Sequence, residues 1–157
     1  LIATLLVIIY FCLKQEAYYL RIVTLSVYAS LLLNGVMNMH FYPELLKYQA
    51  GSTMAQKVKE FDIPVDNIYK ISERHTWALD FYNKNPVKIT TMANLPKMND
   101  VWVYLSDEEL GKLREADLDW DKQITVDNFR ITRLQLKFLE PSTRHKVLKK
   151  MHLVHIY

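Results

Sequence analysis

Two groups of acidic side chains could do chemistry in this chain. Asp107, Glu108 and Glu109 are consecutive, and paired carboxylates can act as general acid and base. They follow Ser106, however, which has capping-box spacing with Glu109, and negative charge suits the first turn of a helix. A second group, Asp117, Asp119 and Asp121, surrounds Trp120 in a predicted loop. Such a loop could bind a sugar, although a plain surface turn is the simpler interpretation.

Histidines offer a second kind of chemistry. His152 and His155 are three residues apart, a spacing that suits a shared metal ion only on a helix. We predict a strand here, so their side chains should point to opposite faces of a sheet. His75 follows Glu73 and Arg74 and could line a site, but a solvated polar turn is the simpler interpretation.

Residue counts exclude several kinds of site. The chain has three glycines, Gly35, Gly51 and Gly111, so neither a G-x-G-x-x-G loop nor a P-loop can be written. Its single cysteine, Cys12, allows neither a zinc-binding pair nor a disulfide within the chain. The net charge of +3 over 157 residues is too mild to indicate a nucleic-acid partner. No G-x-S-x-G elbow frames a serine nucleophile. The residues alone therefore predict no catalytic constellation.

The elements after residue 43 alternate between helix and strand patterns. We predict helices over Glu44–Tyr48, Ser52–Phe61, Thr76–Asn83, from Ser106 to Ala116, and from Ser142 or Thr143 to Lys150. We predict strands over Ile68–Ser72, Val87–Thr91, Val101–Leu105, Gln123–Val126, Ile131–Leu139 and His152–Ile156. The apolar run VWVYL is typical of a central strand, and the alternation in Ile131–Leu139 of a half-exposed antiparallel one. This order predicts a small α/β domain with a mixed sheet and helices on its faces.

The first 42 residues have a different composition. Up to Pro43 the charged side chains are Lys14, Glu16 and Arg21, two positive and one negative. Ile22–Pro43 is uncharged and would rise roughly 33 Å as a helix, enough to cross a hydrocarbon core of about 30 Å. Residues 1–42 are therefore predicted to be a membrane helical hairpin: the end of one span, a turn over 14–21 with Tyr18 and Tyr19 at the interface, and a full span over 22–39.

A buried hairpin in a soluble bundle is the alternative. Polar residues such as Thr24, Ser30 and Asn34 lower the hydrophobicity of the second run, but they form no clean polar face, and no charge appears there. Small and polar residues also pack membrane helices against each other. We therefore expect further transmembrane helices upstream in the same chain. Lys14 and Arg21 favour a cytoplasmic turn, which makes residues 43–157 an extracytoplasmic domain, although Lys47 argues slightly against this.

Several segments together resemble a known family. The order FYPELLKYQAGS, VDNIYKI, WALDFYNKNPVKI, VWVYLSDEELGKL and RLQLKFLEPSTRHKVLKKMHLVHI is similar to the C-terminal part of bacterial polytopic (GT-C type) glycosyltransferases. These are relatives of protein O-mannosyltransferases and of the lipid A aminoarabinose transferase. The resemblance covers nearly the whole chain, and FYPELLKYQAGS and FLEPSTR are its most specific pieces.

The resemblance implies an integral-membrane enzyme of the inner membrane. It would move a sugar from a polyprenyl-phosphate carrier to a lipid, glycan or protein acceptor on the periplasmic side. The family's catalytic acidic residue lies in an early loop, so no residue of this chain inherits that role. A divalent metal could serve the whole enzyme, whereas no cofactor is expected in this part. The alternative from another class is a non-catalytic, membrane-anchored α/β binding or scaffold domain.

The segment HFYPELLKYQAGS is the candidate site. Phe41, Tyr42 and Tyr48 have the amphipathic character of an interfacial belt. Pro43 is expected to turn the chain, and Gly51 to let the next helix start in a new direction. Tyr42, Tyr48 and Gln49 are the candidate contacts with a membrane lipid or with the lipid-linked phosphate of the donor. A structural collar that joins the span to the domain is the alternative.

Overall fold

A computed structural model describes residues 2–14, 18–130 and 135–157 of the chain. The chain divides into two compact units, Leu1–Leu46 and Lys47–Tyr157. The division falls after Leu46, a few residues beyond the predicted boundary at residues 42 and 43. The two units are described separately.

The first unit is helical throughout its described residues. Its elements are α1 (Ile2–Lys14), α2 (Tyr18–Val36), a π-helical turn (Met37–Phe41) and α3 (Tyr42–Leu46). The last three form one helix of 29 residues, Tyr18–Leu46. Helices α1 and α2 contact each other, and an apolar crevice between them is lined by Leu5, Ile9, Leu25 and Leu32.

The helix Tyr18–Leu46 is long and apolar enough to cross a membrane by length and composition. Its 29 residues rise about 43 Å, close to the thickness of a bilayer with its headgroups. Core helices of soluble proteins and signal sequences meet the same criteria. Unlike a core helix, α2 buries none of its side chains in this chain.

Two predictions about this unit are wrong. Tyr18–Arg21 is helical instead of belonging to a polar turn, while residues 15–17 lie outside the described part of the chain. Pro43 does not turn the chain but lies inside α3. Proline in an α-helix lacks a donor and crowds the carbonyl four residues earlier. The π-helical turn just before it, in which the N–H of Tyr42 donates to the carbonyl of Met37, widens the helix at this point.

The second unit is the α/β domain that the sequence predicts. Its helices are α4 (Ala50–Glu60), α5 (Trp77–Asn83), α6 (Asp107–Glu115), α7 (Leu136–Leu139) and α8 (Pro141–Arg144). Its strands are β1 (Ile68–Lys70), β2 (Lys88–Ile89), β3 (Val101–Ser106), β4 (Lys122–Asn128) and β5 (Lys149–Ile156). Two 3-10 turns, Val65–Asn67 and Leu95–Lys97, complete the described elements.

The strands form a mixed sheet in the order β2-β1-β3-β5-β4. Strand β1 pairs in parallel with β2 and β3, while β5 is antiparallel to both β3 and β4. Strand β3 is buried from Val101 to Leu105, as its uninterrupted apolar sequence predicts. The mixed sheet and the central position of this strand are confirmed.

Helices cover both faces of the sheet, so the domain has two apolar cores. On one face α4 and α5 contribute Met54, Val58 and Leu79 to a core with Met151 and Leu153. On the other face, Leu110 and Leu113 of α6 pack with residues of β3 and β5, including Val103 and Val154. Because β5 alternates between the two cores, its two histidines lie on opposite faces, as the strand period predicts.

Three local predictions in this unit are wrong. Leu136–Leu139, the described end of the strand predicted over Ile131–Leu139, is the short helix α7, and residues 131–134 lie outside the described part. The helix that was expected to reach Lys150 ends at Arg144 in the structure. Lys149 and Lys150 belong to β5 instead and pair with β4.

The third error concerns Gly51, which does not interrupt a helix but lies in the first turn of α4. A Cβ there would lie 3.0 Å from the Cβ of Ala78 and 3.2 Å from the backbone nitrogen of Leu79. Glycine therefore allows α4 and α5 to approach closely. It is not needed here to change the chain direction.

Candidate functional site

The three predicted site residues fall in two different units. Tyr42 lies in α3 with about half of its side chain exposed, and its ring meets that of Phe41 edge-to-face at 5.9 Å. Tyr48 and Gln49 belong to the domain, immediately before α4. The structure therefore brings Tyr48 and Gln49 together as chain neighbours and leaves Tyr42 in the helical unit.

Tyr48 is held in a clasp formed by aromatic rings and a guanidinium. Its ring packs edge-to-face on Phe138 at 5.3 Å, and Phe138 stacks on Phe129 at 3.9 Å. Arg144 lies over the rings of both Tyr48 and Phe138, at 5.3 and 5.0 Å from their centroids. Its Nη1 also donates to the Tyr48 hydroxyl at 3.1 Å, and its Nε to the carbonyl of Phe138 at 2.8 Å.

This clasp joins two segments that lie far apart in the sequence. Tyr48 comes from FYPELLKYQAGS, whereas Phe138 and Arg144 come from FLEPSTR, 96 residues further along in the case of Arg144. Phe129 adds a backbone link, because its N–H donates to the carbonyl of Tyr48 at 2.8 Å. The two segments therefore share one structural task, which is to fix the residues that enter the domain.

Gln49 acts through its backbone as the N-cap of α4. Its carbonyl accepts from the N–H of Thr53 at 3.2 Å and from the hydroxyl of Ser52 at 2.9 Å. Thr53 and Gln56 have the spacing of a capping box in the sequence, but α4 begins at Ala50, so both residues lie inside the helix. The side chain of Gln49 makes no cap hydrogen bond, and glutamine is not among the residues preferred at this position.

Buried histidines form two further clusters that sequence reasoning missed. His152 is almost fully buried, and its Nε2 lies 2.9 Å from a carboxylate oxygen of Asp107. Its Nδ1 lies 2.9 Å from the hydroxyl of Thr125 and 3.1 Å from the amide nitrogen of Gln123. The hydrogen bond to His152 is the main reason that the pKa of Asp107 lies below its ordinary value.

Asp107, His152 and Thr125 have the order of a carboxylate, base and hydroxyl triad. Because a carboxylate only accepts, Nε2 carries a proton and Nδ1 accepts in the neutral ring. The amide nitrogen of Gln123 donates to His152 and to Thr125, at 3.1 and 3.2 Å. Both hydrogens of the Gln123 side-chain amide are thus used inside the cluster. This side chain therefore has no hydrogen left to donate to an oxyanion. The geometry fits a set of completed hydrogen bonds that links α6, β4 and β5 better than it fits a catalytic triad.

His155 lies on the opposite face between two carboxylates. Its Nδ1 is 2.5 Å from Asp121 and its Nε2 is 2.9 Å from Asp100, while its ring tilts against Trp102. Burial alone would lower the pKa of His155, but the hydrogen bonds to Asp100 and Asp121 outweigh it and raise the pKa above 6.5. Asp121 therefore contacts a histidine of β5. The predicted loop around Asp121 did not indicate this role.

The acidic group in α6 has the structural role predicted for it. Ser106 and Glu109 form a complete capping box, in which each side chain bonds the backbone of the other. Burial opposes ionisation of Glu109, but hydrogen bonds from Ser106 and Ser72 outweigh it and keep the pKa below its ordinary value. Arg74 adds an ion pair at 3.7 Å. Nearby, burial raises the pKa of Tyr104 to about 12.

Nothing in the described ranges 2–14, 18–130 and 135–157 groups three or more histidine, cysteine, aspartate or glutamate side chains for a metal ion. Comparison of the chain with protein-family models, with characterised proteins and with solved structures gave no match. The described features that bear on function are therefore the helix Tyr18–Leu46, the α/β domain and the clasp around Tyr48.

Proposed function

We propose that this chain is the C-terminal part of an integral-membrane glycosyltransferase that uses a sugar carried on a polyprenyl phosphate. In this proposal α1 and the helix Tyr18–Leu46 are the last spans. The α/β domain caps the membrane bundle on the periplasmic side of the inner membrane and shapes access for the acceptor. The catalytic carboxylate lies in another part of the enzyme.

One observation supports the membrane part of this proposal: a helix of 29 residues with no buried side chain in α2 leads, after residues 47–49, into a folded α/β domain. Its outward-facing side chains include Leu31 and Leu33, which are 62% and 64% exposed. Fully exposing an aliphatic side chain to water costs roughly 1.5–3 kcal/mol relative to burying it. A bilayer and neighbouring helices would remove that cost for the whole helix.

The clasp around Tyr48 supports the capping role. Three residues, 47–49, separate the long helix from α4, and Tyr48 is fixed there by Phe138 and Arg144. The clasp therefore fixes these entry residues to the rest of the domain, and the short connection limits how far the domain can move from the end of the proposed span. Tyr42, Tyr48 and Gln49 remain the proposed contacts with the polyprenyl-phosphate donor, and the partly buried position of Tyr48 favours the collar role for this residue.

Topology is tested with single cysteines in a chain whose Cys12 is replaced by serine. Glu115→Cys lies on the exposed end of α6, and Gln15→Cys lies in the predicted turn. The proposal expects an impermeant thiol reagent to label Glu115→Cys in intact cells and to leave Gln15→Cys unlabelled until the cells are opened. The reverse pattern would refute the orientation.

Activity is tested on the whole enzyme from which this chain comes, reconstituted in proteoliposomes with a labelled polyprenyl-phosphate sugar. Transfer of the label to an acceptor, or its release to water, supports the glycosyltransferase. A chain that binds membranes but never binds or turns over such donors would favour the alternative, a membrane-anchored binding or scaffold domain. The internally satisfied polar clusters of the domain suit that alternative equally well.

A further inference from the structure

The helix α5 presents an unusually aromatic surface to solvent. Trp77 and Phe81 are both about three-quarters exposed and lie one turn apart, and Tyr82 is 61% exposed. The ring of His75 stacks on Trp77 at 4.5 Å, and Phe81 meets Tyr82 edge-to-face at 5.4 Å. Contiguous exposed aromatic surface of this kind marks an interaction site. We call these four residues the aromatic surface.

Two rings of the aromatic surface, those of Phe81 and Tyr82, flank the side of α5 that faces the start of α4. Ala78 is the residue that Gly51 approaches, at 3.0 Å from the position of a Cβ on that glycine. At about 100° per residue, Ala78 falls between Phe81 and Tyr82 around the helix axis. The entry of the chain into α4 and these two rings therefore share one side of α5.

Chain connectivity limits how far this surface can lie from the end of the long helix. Five residue steps separate Leu46 from Gly51, and fully extended residues span at most about 3.6 Å each. The chain can thus cover no more than about 18 Å between these two residues in any orientation of the units. If the helix crosses the bilayer, the aromatic surface is held within reach of the headgroups.

A basic segment contacts Tyr48, in the short stretch through which the chain enters the domain. Thr143–Lys150 carries Arg144, Lys146, Lys149 and Lys150 with no acidic residue. Arg144 fixes this segment to Tyr48, two residues after Leu46, and Lys146 and Lys149 are exposed. Anionic lipid surfaces attract basic segments, and tryptophan and tyrosine prefer the membrane interface.

We infer that the aromatic surface and the basic segment together dock the domain onto the anionic headgroup layer of the membrane that its own helix spans. This inference rests on the proposed membrane span and adds a second contact to it. The aromatic rings enter the interface beside the helix, while Lys146 and Lys149 face lipid phosphates. Docking of this kind fixes the orientation of the domain over the bundle.

Tryptophan fluorescence in brominated-lipid vesicles tests the inference on the full chain. Trp77 is exposed, whereas Trp102 is buried and Trp120 packs against the core on the other face of the sheet. Lipids brominated near the top of the acyl chain should quench the wild-type emission. The quenching should be lost in Trp77→Phe and retained in the matched variant Trp120→Phe.

Charge is tested in the same vesicles. The double variant Lys146→Glu, Lys149→Glu should lose quenching in anionic vesicles, and Lys112→Glu on α6 should keep it. A chain that floats with vesicles but shows unquenched Trp77 overturns the docking and leaves the span intact. A chain that does not float with vesicles at all overturns the span. Protection of Trp77 through a dimer in detergent, without lipid quenching, would assign the surface to a second copy and overturn the inference.

Discussion

Two helices separated by residues 47–49 use their apolar side chains in opposite ways. In α4 the apolar residues Ala50, Met54, Ala55 and Val58 are all buried against the sheet and α5. In α2 the apolar residues surround the helix, and none is buried. A helix that is apolar on all sides needs an apolar environment on all sides. The comparison teaches that α4 buries its apolar side chains within the described chain, whereas α2 contacts α1 and still leaves its large apolar side chains mostly exposed.

The largest change in the free energy of unfolding should come from creating a cavity in the core beneath α4. Met54→Ala removes a fully buried side chain, and we expect it to lower the free energy of unfolding by about 2–5 kcal/mol. Leu31→Ala in α2, where the side chain is 62% exposed, should change it by less than about 0.5 kcal/mol. Urea unfolding of the detergent-solubilised chain, followed by near-ultraviolet circular dichroism, measures both. Equal losses would show that α2 also packs into the domain core.

A charge in the middle of the long helix should have the next largest effect, but on insertion. Leu31→Lys places an ammonium near the centre of Tyr18–Leu46, where lysine costs about 2.5–3.5 kcal/mol to insert. We expect the inserted fraction to fall in a microsomal insertion assay. Phe61→Lys, which lies 57% exposed after α4, is the matched control and should insert like the wild type. Normal insertion of Leu31→Lys would break the comparison.

Glycine substitutions sharpen the comparison at the contact between α4 and α5. Gly51→Ala forces a methyl group against Ala78 and the backbone of Leu79, so we expect a loss of about 1–3 kcal/mol. Gly111→Ala lies in α6 with nothing within 4 Å of the added carbon. It should gain up to about 1 kcal/mol from helix propensity. The same urea unfolding assay applies, and a stabilised Gly51→Ala would contradict the close approach.

The smallest effect concerns the polar interior of the domain and depends on pH. The folded pKa of His155 lies above 6.5, because Asp100 and Asp121 favour its charged form more than burial disfavours it. Its stabilisation is therefore complete below pH 6.5 and is lost as the pH rises through the folded pKa. The difference in unfolding free energy between wild type and His155→Gln should shrink over that range. A difference that grows with pH would mean that the histidine is neutral when folded.

Local signals predicted most of the domain, because they depend on neighbouring residues. The apolar run VWVYL gave β3, and Ser106 with Glu109 gave the capping box of α6. The period of two in β5 placed His152 and His155 on opposite faces. Each of these features is visible within about ten residues of sequence.

Features that depend on distant partners were not predictable in this way. The alternation around Phe138 indicated a strand, but Phe138 is buried because it packs on Phe129 and Tyr48. The sequence around Gly51 indicates a change of chain direction, whereas its structural role depends on Ala78, which lies 27 residues later in the chain. The spacing of residues along the sequence does not predict the contact between Asp107 and His152, which are 45 residues apart. The site residues Tyr42, Tyr48 and Gln49 were chosen for their place in the chain, and their role as donor contacts is still a prediction.

Alkaline extraction of membranes from cells that make the full chain tests the central claim most directly. The account predicts that the chain stays in the membrane pellet after a carbonate wash and floats with lipid in a density gradient. Peripheral proteins are released under these conditions. Release of the chain as a folded, lipid-free protein would show that the helix Tyr18–Leu46 finds its partner in water, and it would contradict the account.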